Sequence, residues 1–255
     1  AIPIAIAVAT VVGIQLAKRD QQARVDVFPM LVDTLGVGLL GARIGFIVRW
    51  WPQYAQDPLS MIRIGDGGYL PWLGVACAAL FAAWRLRRRR EVRRAYGGAL
   101  VAGALAWGAS LGVLALLAGS PVPLPDVQLR TLAGEPRNLA GYAGRPTVVN
   151  LWATWCPPCR REMPVLAEAQ QARPDVHFVF ANQGEHQAEV EAFLATDLRH
   201  LGNVLLDPHS DVSRIAGSRG LPTTLFFDAE GKLVDSHVGG LTRASLAARL
   251  RELEP

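Results

Sequence analysis

The chain has 255 residues, of which 51% are hydrophobic, and a formal net charge of +4. Residues 1–120 carry 13 Lys and Arg against 6 Asp and Glu, whereas residues 121–255 carry 13 against 16. The basic excess therefore belongs to the first half, at the ends of apolar segments, as in membrane proteins. This distribution argues against nucleic acid as a partner, and the length allows two domains.

Four apolar segments predict that residues 1–120 form an α-helical membrane domain of about four transmembrane helices. They span residues 1–17, 27–48, 69–84 and 96–118. A spanning helix needs about 20 apolar residues; the fourth segment meets this length best, and the third is short. The first segment shows no n-region or cleavage site, so we expect a spanning helix rather than a signal peptide at residues 1–17.

A cluster of arginines predicts the orientation of this domain. It lies between the third and fourth segments and comprises Arg85, Arg87, Arg88, Arg89, Arg90, Arg93 and Arg94. Positively charged loops stay in the cytoplasm, and Lys18, Arg19 and Arg24 put the first loop on the same side. We therefore expect a multi-pass protein of the bacterial inner membrane, with the loop at residues 50–68 and everything after the fourth helix in the periplasm.

Two ionisable residues, Asp33 and Arg43, interrupt the second apolar segment. Charged groups in a membrane are costly unless they are paired or functional. The two lie ten residues apart, beyond the i,i+4 spacing of helical neighbours, so we expect partners elsewhere, with a catalytic role as the alternative. Cys77, within the third segment, is interpreted as a small apolar residue.

Part of the first half resembles bacterial prolipoprotein diacylglyceryl transferase, which moves a diacylglyceryl group from phosphatidylglycerol to a cysteine. The resemblance covers roughly residues 25–75. It rests on residues 38–46 (GLLGARIGF), Tyr54, Pro58, Leu59, Gly67 and Gly68. Trp72 stands where that family has a histidine, and the family's later Arg-Ile-Gly-Asn signature has no counterpart. The resemblance implies an incomplete relative that serves as an anchor, without transferase activity; a lipid-binding or partner-docking role remains an alternative.

Residues 121–125 read as a stiff, proline-rich linker, and residues 126–255 alternate between strand and helix patterns. A hairpin is predicted at residues 127–132 and around Leu139. Further strands are predicted at 147–153, 176–181, 204–206, 223–227 and 233–237, and helices at 156–170, 189–198, 212–216 and 241–253. About 130 residues in this order predict one α/β core, a central sheet flanked by helices.

The motif Trp155-Cys156-Pro157-Pro158-Cys159 follows a predicted buried strand and begins a predicted helix. A CxxC pair in this context is typical of a redox site, because the helix N-terminus stabilises a thiolate. We expect an exposed Cys156 to attack a substrate disulfide and a more buried Cys159 to resolve the mixed disulfide. The prolines fit the first helical turn.

No metal or cofactor is expected beyond the redox-active cysteine pair. A zinc site, the alternative for a CxxC motif, needs a second ligand pair. Cys77 is the one other cysteine, and the five histidines lack metal-ligand spacing.

Residues 150–164 (NLWATWCPPCRREMP) and 220–224 (GLPTT) resemble the thioredoxin superfamily. They are most similar to its TlpA/ResA/CcmG branch of membrane-anchored thiol–disulfide oxidoreductases, over roughly residues 122–254. The resemblance implies a thioredoxin-like fold with Pro222 in the cis form opposite Cys156 and the backbone of Leu221 free to pair with an extended substrate; an ordinary trans-proline is the alternative.

Two polar residues beside the motif are candidates for active-site support. The resemblance places Asn150 where cytoplasmic thioredoxins have an aspartate that assists proton transfer, which asparagine cannot do. Glu162 is either a proton acceptor that tunes a cysteine or a first-turn glutamate stabilised by the helix dipole.

We therefore expect a membrane-anchored reductase of protein disulfides outside the cytoplasm, for example in cytochrome c maturation. Its partners would be disulfide-containing proteins, the lipid bilayer and a membrane thiol electron donor of the CcdA/DsbD kind. A dithiol oxidant of the same compartment, or a module that binds lipid or docks a partner, are the alternatives.

Overall fold

A computed structural model describes residues 2–17, 21–117, 122–195 and 200–253. The chain divides into two compact units. The first contains residues 1–51 and 69–119, and the second contains residues 52–68 and 120–255. The second unit therefore includes a segment of the chain that the sequence pattern assigned to the membrane domain.

The four apolar segments of the first unit are helical. Helix α1 spans Ile2–Leu16, α2 Gln21–Arg49, α4 Pro71–Arg88 and α5 Arg93–Leu117. The short α3, Trp51–Gln56, lies almost entirely in the second unit. Among the described residues, two stretches are long and apolar enough to cross a membrane, Asp26–Arg49 and Arg93–Leu117. The described part of residues 1–120 is thus mainly helical, as predicted, with two candidate spans where four were predicted.

Small residues allow the helices of the first unit to approach closely. Helix α1 packs along α5, and α2 packs along α4. A Cβ atom added at Gly74 would lie 2.8 Å from the carbonyl oxygen of Gly38, and one added at Gly41 would lie 2.6 Å from Cys77 Sγ. Such contacts are typical of membrane helix pairs, and Cys77 acts as a packing residue between α2 and α4.

The ionisable residues of α2 find partners outside that helix. Asp33 forms an ion pair with Arg85 of the basic cluster, and the Arg85 guanidinium lies 5.2 Å from the ring centroid of Phe81. Arg43 is buried, with its guanidinium 5.6 Å from the ring centroid of Tyr69. For Asp33 this is the pairing expected from the sequence.

The second unit contains the predicted α/β core. Its strands are β1 Gln128–Thr131, β2 Pro136–Asn138, β3 Thr147–Trp152, β4 His177–Gln183, β5 Val204–Asp207, β6 Thr223–Phe227 and β7 Leu233–Val238. Its larger helices are α6 Pro157–Ala172, α7 Gln187–Leu194, α8 Asp211–Ile215 and α9 Arg243–Glu252. The strands form one mixed sheet in the order β2-β1-β5-β4-β3-β6-β7, a thioredoxin-like arrangement.

Strand β3 lies in the middle of this sheet, and all six of its residues are buried. It runs parallel to β4, with Val149 opposite Val179, and antiparallel to β6, with Val149 opposite Leu225. Side chains from both faces of the strand enter hydrophobic clusters, Val148 and Trp152 on one side and Val149 on the other. The carboxyl end of this buried strand delivers the CxxC motif to α6.

Two element boundaries differ from the prediction for local reasons. The last helix begins at Arg243 rather than at residue 241, because Thr242 has an extended backbone and its side chain caps the helix by accepting from the Ser245 N–H. The stretch at Leu139 leaves the hairpin and forms a 3₁₀ turn, Leu139–Tyr142. The predicted end of the helix at 189–198 extends beyond the described residues.

The described part of the predicted linker is attached to the sheet. The Leu233 N–H donates to the Val122 carbonyl at 2.9 Å, and the Leu124 N–H donates to the Gly231 carbonyl at 2.7 Å. Proline has no N–H to donate, but Val122 and Leu124 alternate with the prolines. Val122 supplies a carbonyl acceptor and Leu124 an N–H donor. Residues 122–124 therefore pair with the turn between β6 and β7 rather than standing free.

Candidate active site

The CxxC motif occupies the junction between β3 and α6. The strand ends at Trp152, and Cys156 is the N-cap residue of α6, with φ −87° and ψ 107°. Pro157 and Pro158 fill the first helical turn, where a missing N–H leaves no intrahelical hydrogen bond unmade. The sequence thus places the first cysteine at the positive end of the helix dipole, which stabilises a thiolate.

Cys156 and Cys159 are joined by a disulfide, with their Cα atoms 5.3 Å apart. The Cys159 N–H also points at Cys156 Sγ, at 3.3 Å. Cys159 is fully buried, as expected, but Cys156 is only 3% exposed, where we expected an exposed residue. The bond to Cys159 holds its sulfur against the buried helix turn, and the neighbouring Trp155, 68% exposed, forms the accessible surface at this point.

Glu162 is a buried carboxylate one helical turn beyond Cys159. Its exposed fraction is 1%; Oε1 accepts from Asn150 Nδ2 and Oε2 accepts from the Leu241 N–H, each at 2.8 Å. Burial raises the pKa of Glu162 from 4.5 to about 7, against the opposing effect of these two hydrogen bonds. A glutamate stabilised only by the dipole would stay ionised in solvent, so this geometry favours a group that holds a proton near neutral pH.

Asn150 links the active-site helix to the proline loop. Its Nδ2 donates to Glu162 Oε1 and, at 3.0 Å, to Thr224 Oγ1 on β6. An amide cannot act as a base, in agreement with the sequence-based expectation. The side chain instead holds the carboxyl group of Glu162 in place from the middle of the sheet.

The peptide bond between Leu221 and Pro222 is cis, as the resemblance implied. The Pro222 carbonyl accepts from the Gly239 N–H at 2.9 Å, which ties this loop to the segment after β7. Within the described part of the chain, the peptide groups of Leu221 make no backbone hydrogen bond. The pairing of these groups with an extended substrate chain stays a prediction from the resemblance.

A second buried carboxylate, Glu185, supports the turn before Cys156, and the sequence interpretation missed it. Its Oε2 accepts from the Thr154 N–H at 2.7 Å and from Asn182 Nδ2 at 2.6 Å, and its Oε1 pairs with Thr154 Oγ1. Its position just after β4 could have indicated this role. Strands β3 and β4 are parallel, and the carboxyl ends of parallel neighbouring strands meet at one edge of a sheet.

No cluster of three or more His, Cys, Asp or Glu side chains suited to a metal ion occurs among the described residues. Of the histidines, His177 starts β4 and His237 lies on β7. Neither lies within hydrogen-bond reach of the cysteine pair in the described contacts. The site is therefore built from the disulfide, two buried carboxyl groups and the cis-proline loop.

Two family models match the chain, one in each half. The model described as Redoxin matches residues 117–250, and the model described as Prolipoprotein diacylglyceryl transferase matches residues 1–117. The second match extends well beyond the 25–75 range of the sequence resemblance. Together they show a fusion of a redox domain to a segment similar to that transferase.

Similar characterised proteins align with the second half. Thioredoxin-like protein YneN of Bacillus subtilis is 34% identical over 132 residues, 49% of this chain and 75% of that protein. Thiol-disulfide oxidoreductase ResA of Geobacillus thermodenitrificans is 32% identical over 133 residues, 51% of this chain and 76% of that protein.

Among solved structures, MTB dsbF is 26% identical with a TM-score of 0.49, over 53% of this chain and all of that one. The Redoxin match covers more than half of the chain, and the cysteine pair lies at its helix N-terminus. The chain belongs to the Redoxin family and is a thiol–disulfide oxidoreductase.

Proposed function

We propose that the protein is a membrane-anchored reductase of protein disulfides that works outside the cytoplasm. Cys156, as a thiolate, attacks one sulfur of the substrate disulfide, and the other sulfur leaves as a thiolate. Cys159 then attacks Cys156 Sγ in the mixed disulfide and releases the second substrate sulfur. The substrate gains two electrons, and the enzyme ends with the Cys156–Cys159 disulfide.

The buried Glu162 is the observation that carries this proposal. Cys159 must lose its proton before it can attack, and it is fully buried one turn from a carboxyl group whose pKa is about 7. A carboxylate at this position can take that proton at neutral pH. Asn150 holds the acceptor in place but does not take part in the proton transfer.

The surroundings of Cys156 favour the reducing direction. A strong dithiol oxidant owes its potential to a stabilised thiolate in the reduced form. Here Pro157 and Pro158 bring no N–H donors, which leaves the Cys159 N–H, at 3.3 Å, as the backbone donor to Cys156 Sγ. This small number of donors leaves the thiolate of the reduced pair less stabilised and lowers the potential of the pair.

Anchoring in the inner membrane is supported by the two candidate spans and by the match of residues 1–117 to a membrane enzyme family. We propose a multi-pass anchor with the arginine cluster in the cytoplasm and residues 126–255 in the periplasm. A reductase in that compartment needs electrons from a membrane thiol donor of the CcdA/DsbD class. Disulfides of apocytochrome c are the proposed substrates.

The redox state of the full chain in cells tests the proposal. Membranes are quenched with acid, free thiols are alkylated with a mass tag, and a Cys77→Ala background leaves the active-site pair as the reporter. A reductase is found mainly in the dithiol form, and it becomes oxidised when the membrane donor is deleted. A pair found mainly as the disulfide, with or without the donor, would point to a dithiol oxidant.

Substrate trapping identifies the partners in the same strain. A Cys159→Ser variant cannot resolve the mixed disulfide, so it accumulates covalent complexes that a reducing agent releases. The Cys156→Ser variant is the matched control and accumulates none. If loss of both cysteines left the cellular phenotype unchanged, a docking or lipid-binding role would replace the redox one.

A further inference from the structure

The segment at residues 52–68 belongs to the redox unit and carries a further buried carboxylate, Asp66. We propose that Asp66 is a positioning residue for the redox centre, which holds the Leu241–Thr242 peptide against Glu162. The inference rests on the proposed role of Glu162 as the proton acceptor. It means that the functional redox domain is assembled from two separate stretches of the chain.

Asp66 is held by donors from three parts of the unit. Its exposed fraction is 1%; Oδ2 accepts from the Tyr54 hydroxyl at 3.1 Å and from Thr242 Oγ1 at 3.0 Å, and Oδ1 accepts from the Gly68 N–H at 2.9 Å. Burial of a charged carboxylate is costly unless its oxygens are hydrogen-bonded. The bond to Thr242, 176 residues away in the chain, therefore fixes the position of that threonine.

Thr242 passes this constraint to the active site. It is the N-cap residue of α9, and the preceding Leu241 N–H donates to Glu162 Oε2 at 2.8 Å. The same short stretch begins at Gly239, whose N–H donates to the Pro222 carbonyl. One segment of four residues, 239–242, thus contacts both the proton acceptor and the cis-proline loop, and Asp66 binds its far end.

Two glycines show independently that the segment is seated closely on β7 and α9. Gly239 has φ +117°, and a Cβ atom added there would lie 3.3 Å from the carbonyl oxygen of Gly65. Gly67 has φ +72°, and a Cβ atom added there would lie 2.7 Å from Arg249 Nη2. A side chain at Gly239 would press on a backbone carbonyl, and one at Gly67 would displace the end of the Arg249 side chain, so residues 65–67 and the 239–242 stretch form one packed layer.

The direction in which the pKa of Glu162 shifts distinguishes a positioning role of Asp66 from a direct effect of its negative charge. The Leu241 hydrogen bond lowers the pKa of Glu162 against the effect of burial, so loosening that peptide raises the pKa. Removal of a negative charge would by itself lower it. The ionisable groups facing Asp66 are Tyr54 of α3, His237 of β7 and Arg249 of α9. Burial lowers the pKa of both His237 and Arg249, against the opposing effect of the negative charge of Asp66. In the described contacts Glu162 bonds to Asn150 Nδ2 and the Leu241 N–H, neither of which titrates.

The test follows the alkylation rate of Cys156 against pH in the reduced full chain, in detergent micelles and a Cys77→Ala background. Glu162→Gln identifies the inflection that belongs to Glu162. We expect Asp66→Ala and Thr242→Val each to move this inflection upward by about one pH unit, a tenfold weaker acid. The double variant should move it no further, because both changes break one interaction. Thr242→Ser keeps the hydroxyl and should match the parent.

An unchanged inflection, a downward shift, or additive shifts in the double variant would overturn the proposal. Asp57→Asn is the control for charge, because Asp57 lies in the same segment but is half-exposed beside Arg63, and it should leave the profile unchanged. If Asp66→Ala does not fold, the Thr242→Val and Thr242→Ser pair tests the same hydrogen bond from its other end.

Amide hydrogen exchange distinguishes failure of this inference from failure of the proposed function. Loosening of the peptide should raise the exchange of the amides at residues 241–246 in Asp66→Ala and Thr242→Val, at least tenfold over the parent. If Glu162→Gln leaves the alkylation profile unchanged, the proton-acceptor role of Glu162 is wrong, and exchange alone decides whether Asp66 positions the peptide. Unchanged exchange would show that it does not.

Discussion

Replacement of Glu162 by Gln should change how the stability of the redox unit depends on pH. The native pKa of about 7 lies above the value of 4.5 for an unperturbed group. Below pH 4.5 both the folded and unfolded forms are protonated, and the group does not oppose folding. As the pH rises to 7, the unfolded form releases its proton while the folded form retains it, and each pH unit costs about 1.4 kcal/mol.

Between pH 4.5 and pH 7 the free energy of unfolding of the wild-type protein therefore falls by about 3 kcal/mol because of this group. Glutamine resembles the protonated acid, with one acceptor and one donor side, and does not titrate. Relative to the wild type, the Glu162→Gln protein should gain about 3 kcal/mol in free energy of unfolding over this range. Other titrating groups contribute equally to both proteins and cancel in the comparison.

Native-state hydrogen exchange of the β3 amides in the oxidised full chain measures this free energy, since the most protected amides exchange through global opening of the unit. Glu191→Gln on α7 is the matched control, because the Glu191 carboxylate is exposed and bonds only to Gln187 in the described contacts. It should show no such gain. A constant difference between wild type and Glu162→Gln across the range would refute the reasoning, because it would mean that the native carboxyl group keeps an ordinary pKa.

Two other substitutions test the support of the active site. Glu185→Gln leaves one side-chain oxygen to serve the donors of Thr154 and Asn182, so we expect a loss of about 1–3 kcal/mol and slower thiol exchange; full stability and full rate would contradict the assigned role. Gly239→Ala forces a side chain onto a left-handed backbone and should lower the free energy of unfolding by about 1–3 kcal/mol. Gly141→Ala is the control, because a Cβ atom there meets nothing within 4 Å, and it should change the free energy of unfolding by no more than about 0.5 kcal/mol. Chemical denaturation of the oxidised chain checks both, and equal losses at the two glycines would rule out the packed layer.

Local features of the site could be predicted from the sequence because they depend on neighbouring residues. The apolar run of β3 and the cysteine pair at the start of α6 each lie within a few positions of the element that they define. The cis form of Pro222 followed from a resemblance and not from any local pattern.

Features that depend on distant pairing could not be predicted in this way. Glu185 reaches Thr154 only because β4 runs parallel to β3, and Asp66 reaches Thr242 across 176 residues. Both carboxylates stand in segments that read as ordinary polar loops. The exposure expected for Cys156 was wrong for a local reason, because the disulfide turns its sulfur toward the fully buried Cys159, three residues away.

The reduction potential of the Cys156–Cys159 pair tests the central claim most directly. The full chain, in detergent with Cys77→Ala, is equilibrated with dithiol and glutathione buffers, and the dithiol fraction is measured by alkylation. The account predicts a potential near or below that of thioredoxin, about −270 mV. A potential near about −120 mV, that of a strong periplasmic oxidant, would contradict it and show that the protein makes disulfides.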